Sequence, residues 1–166
     1  MINPEVREYR KSDKTVAIQL IEGMKDAMIA FDTLDEYDKK EGYGAEYLKE
    51  IVKGVSKKNK IFYVAEVKDK VVGYVIAELP EAPSKADLLG LKEPLKKFGT
   101  ITEIYVESHH RGSNIGSKLI EKVEKWLKEN GCNIATVGFF TSNKKALDFY
   151  NKLGYEVGGT YSYKKI

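Results

Sequence analysis

Cysteine is almost missing from this chain. Cys132 stands alone among 166 residues, which excludes an internal disulfide framework and a cysteine-rich zinc site. No apolar stretch approaches the ~20 residues that span a bilayer. The stretch from Met1 to Lys11 lacks the apolar run of a signal peptide. Neither charge sign dominates: 28 basic residues face 25 acidic ones, for a net charge of +3. That balance speaks against a dedicated nucleic-acid binder. No Gly/Ser-rich linker or internal repeat divides the chain, and no Gly-x-Gly-x-x-Gly turn follows an early strand, which argues against a dinucleotide-binding oxidoreductase. His109 and His110 are adjacent, and side chains one apart seldom chelate one metal, so no metal site is expected. What is present, 42% hydrophobic and 32% charged residues, suffices for one core. The expectation is one soluble cytoplasmic domain over residues 1–166, with no nucleic-acid or membrane partner.

Periodicity supplies the elements. Val6 to Tyr9 reads as a short strand and Asp13 as a helix N-cap. Ala17, Leu20, Ile21, Met24, Ala27, Met28 and Phe31 recur at three and four, an amphipathic helix. An acidic loop from Asp32 to Gly44 and a second helix through Tyr47 to Val55 follow. Ile61–Val67 and Val71–Leu79 predict a hairpin around Lys68-Asp69-Lys70. Pro80 to Phe98 reads as irregular, a lid over an acceptor or a mobile insertion. Thr100–Val106 predicts a strand, Ile115 to Leu127 a helix ended by Gly131, and Asn133–Phe139 a strand. Ser142 or Asn143 caps a helix ended by Gly154, and a C-terminal hairpin surrounds Gly158-Gly159. The sheet this order implies is mixed, antiparallel early, with a strand-helix-strand crossover.

The turn between strand 100–106 and its helix carries the chemistry. A helix start offers unpaired N–H groups and partial positive charge, which suit a phosphate. Gly112 and Gly116 permit close approach, and Asn114 tolerates positive φ. Arg111, one of only three arginines in the chain, suits phosphate oxygens through its guanidinium. The plainer alternative is an ordinary helix start with turn glycines.

Arg111-Gly112-Ser113-Asn114-Ile115-Gly116 resembles the Gln/Arg-x-x-Gly-x-Gly/Ala turn of the GCN5-related N-acetyltransferase (GNAT) family. Asn114 replaces the first motif glycine, and Ser108 stands where many members have proline. Downstream, Asn143 to Tyr155 is similar to the family's Asn-x-x-Ala-x-x-(Phe/Tyr)-Tyr-x-x-x-Gly-(Phe/Tyr) signature, with Ala146, Tyr150 and Gly154 in register. The resemblance covers Thr100 to Tyr155. It implies an α/β, GNAT-like acyl-CoA N-acyltransferase fold, with a central mixed β-sheet flanked by helices. It also implies acetyl-coenzyme A as cosubstrate and a primary amine, on a small molecule or a protein, as acceptor. In the family's pattern the backbone of Ile104, Tyr105 and Val106 receives the pantetheine arm. The turn Arg111, Gly112, Ser113, Asn114, Ile115, Gly116 and Ser117 receives the phosphates, and Tyr150 protonates the leaving sulfur. Asn143 caps its helix and touches the pantetheine. A homodimer through C-terminal strands is also in the family's habit.

Glu103 is the main base candidate, because an unpaired mid-strand carboxylate is costly to bury; the alternative is a structural pair with a lysine or hydroxyl. Thr100, Thr102 and Glu107 are nearby alternatives. Cys132 reads as a small packed residue rather than an acyl carrier. The acidic run Asp32–Glu41 is either a solvated loop or an attractor for a cationic amine. A non-catalytic coenzyme A-binding sensor or assembly module is the rival function. The eleven tyrosines are dispersed and form no stacking platform in the sequence.

Overall fold

The computed structural model describes residues 4–33, 35–79, 98–160 and 162. Among them, five strands form one sheet in chain order: β1 Glu5–Glu8, β2 Lys60–Val67, β3 Lys70–Glu78, β4 Phe98–Val106 and β5 Ile134–Val137. Neighbours from β1 to β4 pair antiparallel, and β5 joins β4 in parallel. The helices are α1 Lys14–Ile29, α2 Tyr43–Ser56, α3 Ile115–Glu129 and α4 Lys144–Lys152. The expected mixed sheet flanked by helices is present. The β2–β3 turn is tighter than the three residues expected. Lys68 and Asp69 both take positive φ, 49° and 61°, as in a two-residue hairpin turn whose twist suits the flanking strands.

Helices cover both faces of the sheet, so β2 and β3 read as near-continuous apolar runs. On one face Ile61, Val75, Ala77 and Ile101 share a core with Ile115, Leu119, Val123 and Leu127 of α3. On the other, Phe62, Val64, Tyr74 and Ile76 pack with Leu20 and Ile21 of α1 and Leu48 and Ile51 of α2. A bulge in β4 decides what each face receives. The β3–β4 register passes from Ile76↔Glu103 to Ala77↔Ile101, leaving Thr102 as the extra residue. A bulge resets the two-residue alternation. Ile101 therefore joins the α3 core, while Glu103, two residues on, meets Tyr74 of the α1/α2 core.

Three expectations need correction. Asp13 precedes α1 but caps none of its N–H groups. Its carboxylate instead accepts two bonds from Arg7, at 2.8 and 3.0 Å, and one from the Arg10 N–H at 2.7 Å. β5 ends at Val137 rather than Phe139. Tyr155–Val157 is not a strand: residues 155–160 carry no strand pairing. Val157 is 60% exposed, so the segment buries too little apolar surface to offset the entropy of an ordered strand. Tyr155 is held instead by its N–H to the Tyr150 carbonyl and its hydroxyl to Glu124. The expected irregular segment Pro80 to Phe98 ends one residue too late, since Phe98 opens β4; its residues 80–97, and Tyr161 and Tyr163 of the expected hairpin, lie outside the described residues. Among the described residues no helix is long and apolar enough to cross a membrane.

Candidate active site

β4 and β5 pair only from Phe98↔Ile134 to Ile101↔Val137. Further along, β4 keeps its β3 partner but, among the described residues, has none on the β5 side, because β5 has ended. The two strands part into a wedge, with Ile104, Tyr105 and Val106 along its bare edge. The chain then makes a 3₁₀ turn, Ser108–His110, and enters α3 through Arg111 to Ser117. Gly112 takes φ 76° and Asn114 φ 65°, the region few residues other than glycine and asparagine tolerate. The first backbone bond of α3 runs from the Lys118 N–H to the Asn114 carbonyl at 3.2 Å. Among the described residues, no acceptor takes the N–H groups of Gly112, Ser113, Asn114, Ile115, Gly116 or Ser117. Six adjacent free donors at a helix start form a nest for an anion.

Arg111 differs from its expected part. Its Nε donates to the Val106 carbonyl at 2.8 Å, and the guanidinium lies 5.4 Å over the Tyr105 ring. It clasps the end of β4, with only its terminal nitrogens left for an anion. Gly116 is small for packing as well as approach: a Cβ there would sit 3.1 Å from Phe149 Cζ. Gly23 plays the same part for α1, since a Cβ there would lie 2.7 Å from the Tyr105 hydroxyl.

α4 closes the α3 side of the wedge. Asn143 caps it, its Oδ1 accepting the Ala146 N–H at 3.0 Å. Ile104, Val106, Ala146 and Phe149 pack on the cluster that holds Ile115 and Tyr150. Tyr150 is 4% exposed, among the rings of Phe139, Phe149 and Tyr155. Among the described residues its hydroxyl has no hydrogen-bond partner, and burial pushes its pKa well above that of a free phenol.

Glu103 faces the other side. Its Oε2 accepts the Tyr74 hydroxyl at 2.7 Å. Burial raises its pKa; the hydrogen bond from Tyr74, the Tyr47 phenol and the charges of Lys60 and Lys25 oppose that rise without cancelling it. Tyr74 and Tyr47 are themselves pushed up, first by burial and then by the Glu103 charge, so both remain proton donors. Tyr43 stacks on Tyr47 at 5.4 Å. Tyrosines dispersed in sequence thus converge on one carboxylate. Sequence reasoning missed Tyr47, Tyr74 and Lys25. One signal was available: a phenol inside the apolar run Val71–Ala77 needs a partner when buried.

The other candidates are engaged elsewhere. Thr100 pairs with Thr136 at 3.0 Å, Thr102 donates to the Ile76 carbonyl at 3.3 Å, and Glu107 lies 4.0 Å from His110. Among the described residues no group of three His, Cys, Asp or Glu side chains is placed to hold a metal. The acidic run is more structured than a solvated loop. Asp32 accepts the N–H groups of Glu36 and Tyr37, and Lys39 pairs with Glu22 at 3.4 Å and Asp26 at 2.5 Å on α1. The Ser142 hydroxyl donates to the Phe31 carbonyl at 2.8 Å, and Tyr37 meets Phe140 edge-on. These contacts join the α1–α2 loop to the segment beyond β5.

Comparison with known proteins agrees with this geometry. The model of the acetyltransferase (GNAT) family matches residues 24–155. An uncharacterized N-acetyltransferase of Methanocaldococcus jannaschii is 33% identical over 95 residues, 57% of this chain and 38% of that protein. The thialysine N-epsilon-acetyltransferase of Sus scrofa is 41% identical over 54 residues, 32% of each chain. The chain thus spans only about a third of the length of these relatives. In fold it is similar to the PaiA N-acetyltransferase of Thermoplasma acidophilum, solved in complex with coenzyme A. That likeness has a TM-score of 0.73 at 18% identity, over 96% of this chain and 94% of that one. The chain belongs to the acetyltransferase (GNAT) family.

Proposed function

We propose that this family member transfers an acetyl group from acetyl-coenzyme A to a primary amine by direct attack. The observation that carries the reading is the strand edge at Ile104–Val106 running into six N–H groups without acceptors. That donor set suits a pyrophosphate at the end of an amide-bearing arm. Acetyl-coenzyme A, when bound, supplies an acetyl group activated as a thioester. The N–H groups of Gly112 to Ser117 bind the pyrophosphate, aided by the positive end of α3. The bare backbone of Ile104, Tyr105 and Val106 receives the pantetheine amides, beside Asn143 and Ala146. Glu103 takes the proton of the amine, directly or through water. Its raised proton affinity suits a base working nearer neutral pH than a free carboxylate. The Tyr150 hydroxyl has no competing partner among the described residues and stays protonated, so it is free to give its proton to the departing sulfur. The Sus scrofa relative is named for acetylating an amine, which agrees with the acceptor class.

Two measurements test this. Calorimetry should show coenzyme A binding far more tightly than free pantetheine; equal affinities would sink the pyrophosphate assignment. Tyr150→Phe keeps the packed ring and loses only the phenolic proton. It should lower turnover by ~10²–10⁴-fold, the usual range for a positioned acid, with coenzyme A affinity little changed. Full activity in that variant would remove the acid role from Tyr150, and coenzyme A binding without acetyl transfer to any amine in wild type would leave a coenzyme A-binding module as the better description.

A further inference from the structure

Lys25 is the feature that the proposed chemistry does not use. It lies on α1, is only 9% exposed, and makes no ion pair among the described residues. Its Nζ lies 4.7 Å from the Tyr37 ring centroid and 5.3 Å from that of Tyr43. Tyr43 stacks on Tyr47, both rings pack on the cluster that holds Tyr74, and the Tyr74 hydroxyl meets Glu103, on which the Lys25 charge also acts. The ammonium therefore lies against the same group of tyrosines whose member Tyr74 holds the Glu103 carboxylate. Ring faces attract a cation, but less strongly than burial of an unpaired ammonium costs. The nearby acids are engaged with other groups: Glu22 and Asp26 pair with Lys39, and Glu103 Oε2 accepts the Tyr74 hydroxyl.

We infer that Lys25 recognises an anionic group on the acceptor, so that the acceptor is an amine bearing a carboxylate, of the amino-acid type. This rests on the acetyltransferase reading above. The amine end meets Glu103 and the carboxylate end meets Lys25, matching the two opposite charges beside this tyrosine group. A polycation lacks the second contact and meets the Lys25 charge instead.

The test uses amine pairs that differ by one carboxylate: lysine with cadaverine, ornithine with putrescine, glycine with methylamine. Acetyl transfer and calorimetric binding in the presence of coenzyme A are measured for wild type, Lys25→Gln, Lys25→Met and Lys25→Arg. For at least one pair, wild type should favour the carboxylate-bearing member, mainly through KM, by about 10–100-fold, the scale of a hydrogen bond to a charged group. That ratio should collapse in Lys25→Gln and Lys25→Met and return in part in Lys25→Arg. Binding that follows this pattern without acetyl transfer would refute the enzyme reading and leave the Lys25 inference standing. Transfer to amines with no Lys25-dependent preference for carboxylate would overturn the inference and leave the enzyme reading standing. If no carboxylate-bearing member binds or reacts better than its twin, the inference is wrong.

Discussion

Tyr74 offers the most direct handle on Glu103. Its side chain is 0% exposed, edge-on to Phe62 at 5.7 Å and tilted 6.4 Å from Tyr105. Phenylalanine fills the same volume, so Tyr74→Phe removes one 2.7 Å O–H···O bond and little else. A hydrogen bond to a charged group contributes about 1.5–3 kcal/mol, and one pKa unit corresponds to about 1.36 kcal/mol. The Glu103 pKa, already raised by burial, should therefore rise by about 1–2 units more. The lysine charges remain, which favours the lower figure. The assay is kcat/KM against pH for wild type and variant with the same amine, so that the amine's own titration cancels. The acidic limb should move up by about one unit, with the high-pH plateau kept. Stability moves with it. A carboxyl that binds its proton more tightly folded than unfolded favours the fold fully below the unfolded pKa and loses that contribution as pH rises through the folded pKa. Tyr74→Phe widens the gap, so its destabilisation should grow with pH across that window. An unmoved acidic limb, with a stability loss independent of pH, would refute Glu103 as the base.

Two further predictions rest on other contacts. Asn114 holds φ 65°, so Asn114→Gly should keep or improve coenzyme A affinity by calorimetry, and Asn114→Val should weaken it, because a β-branched residue resists that region; equal tolerance of valine would disprove the turn geometry. Asp13 is 6% exposed and held below the ordinary carboxylate range by hydrogen bonds from Arg7, and Arg7 keeps its pair with Glu66 at 2.6 Å, so Asp13→Asn should cost about 1.5–3 kcal/mol in urea unfolding near neutral pH. That stabilisation exists above the unfolded carboxylate pKa and fades as pH falls through the lower folded one, so the gap to wild type should narrow below about pH 4; a gap that stays constant would refute the pairing.

The sequence carried most of the architecture because its signals are local. The stripe Ile115, Leu119, Ile120, Val123, Leu127 is the buried face of α3, and Gly131 and Gly154 do take positive φ beyond their helices. Asn143 caps α4 with the bond its position suggests. The Glu103 surroundings were hidden because they are assembled across the fold. Tyr47 comes from α2, Tyr74 from β3 and Lys25 from α1, and no spacing links them. The bulge left a trace: Ile101 and Ile104 are three apart where a regular half-buried strand repeats at two. The parting of β4 and β5 left none, since strand length depends on which neighbour remains in reach.

That bulge and that parting together bear on the order of chemical events. The bulge sends Glu103 to the α1/α2 face, while Tyr150 packs with α3 and α4. The two proposed proton-handling groups thus approach from opposite faces of the sheet, and the wedge is where the faces communicate. In the proposed reaction, an amine entering from the Glu103 side and a thioester lying along the wedge would meet at this edge of β4, as one-step attack requires. A covalent relay would need a nucleophile inside the wedge. Cys132 is the chain's one thiol, and it precedes the first residue of β5. β5 runs parallel to β4, so the wedge opens at the far end of both strands. Burial also pushes the Cys132 thiol up, disfavouring the thiolate that such a relay uses. Topology and protonation both favour the direct reaction, and mass spectrometry of the enzyme after incubation with acetyl-coenzyme A should find no acetyl group on Cys132; a labile acetyl adduct there would overturn the one-step order.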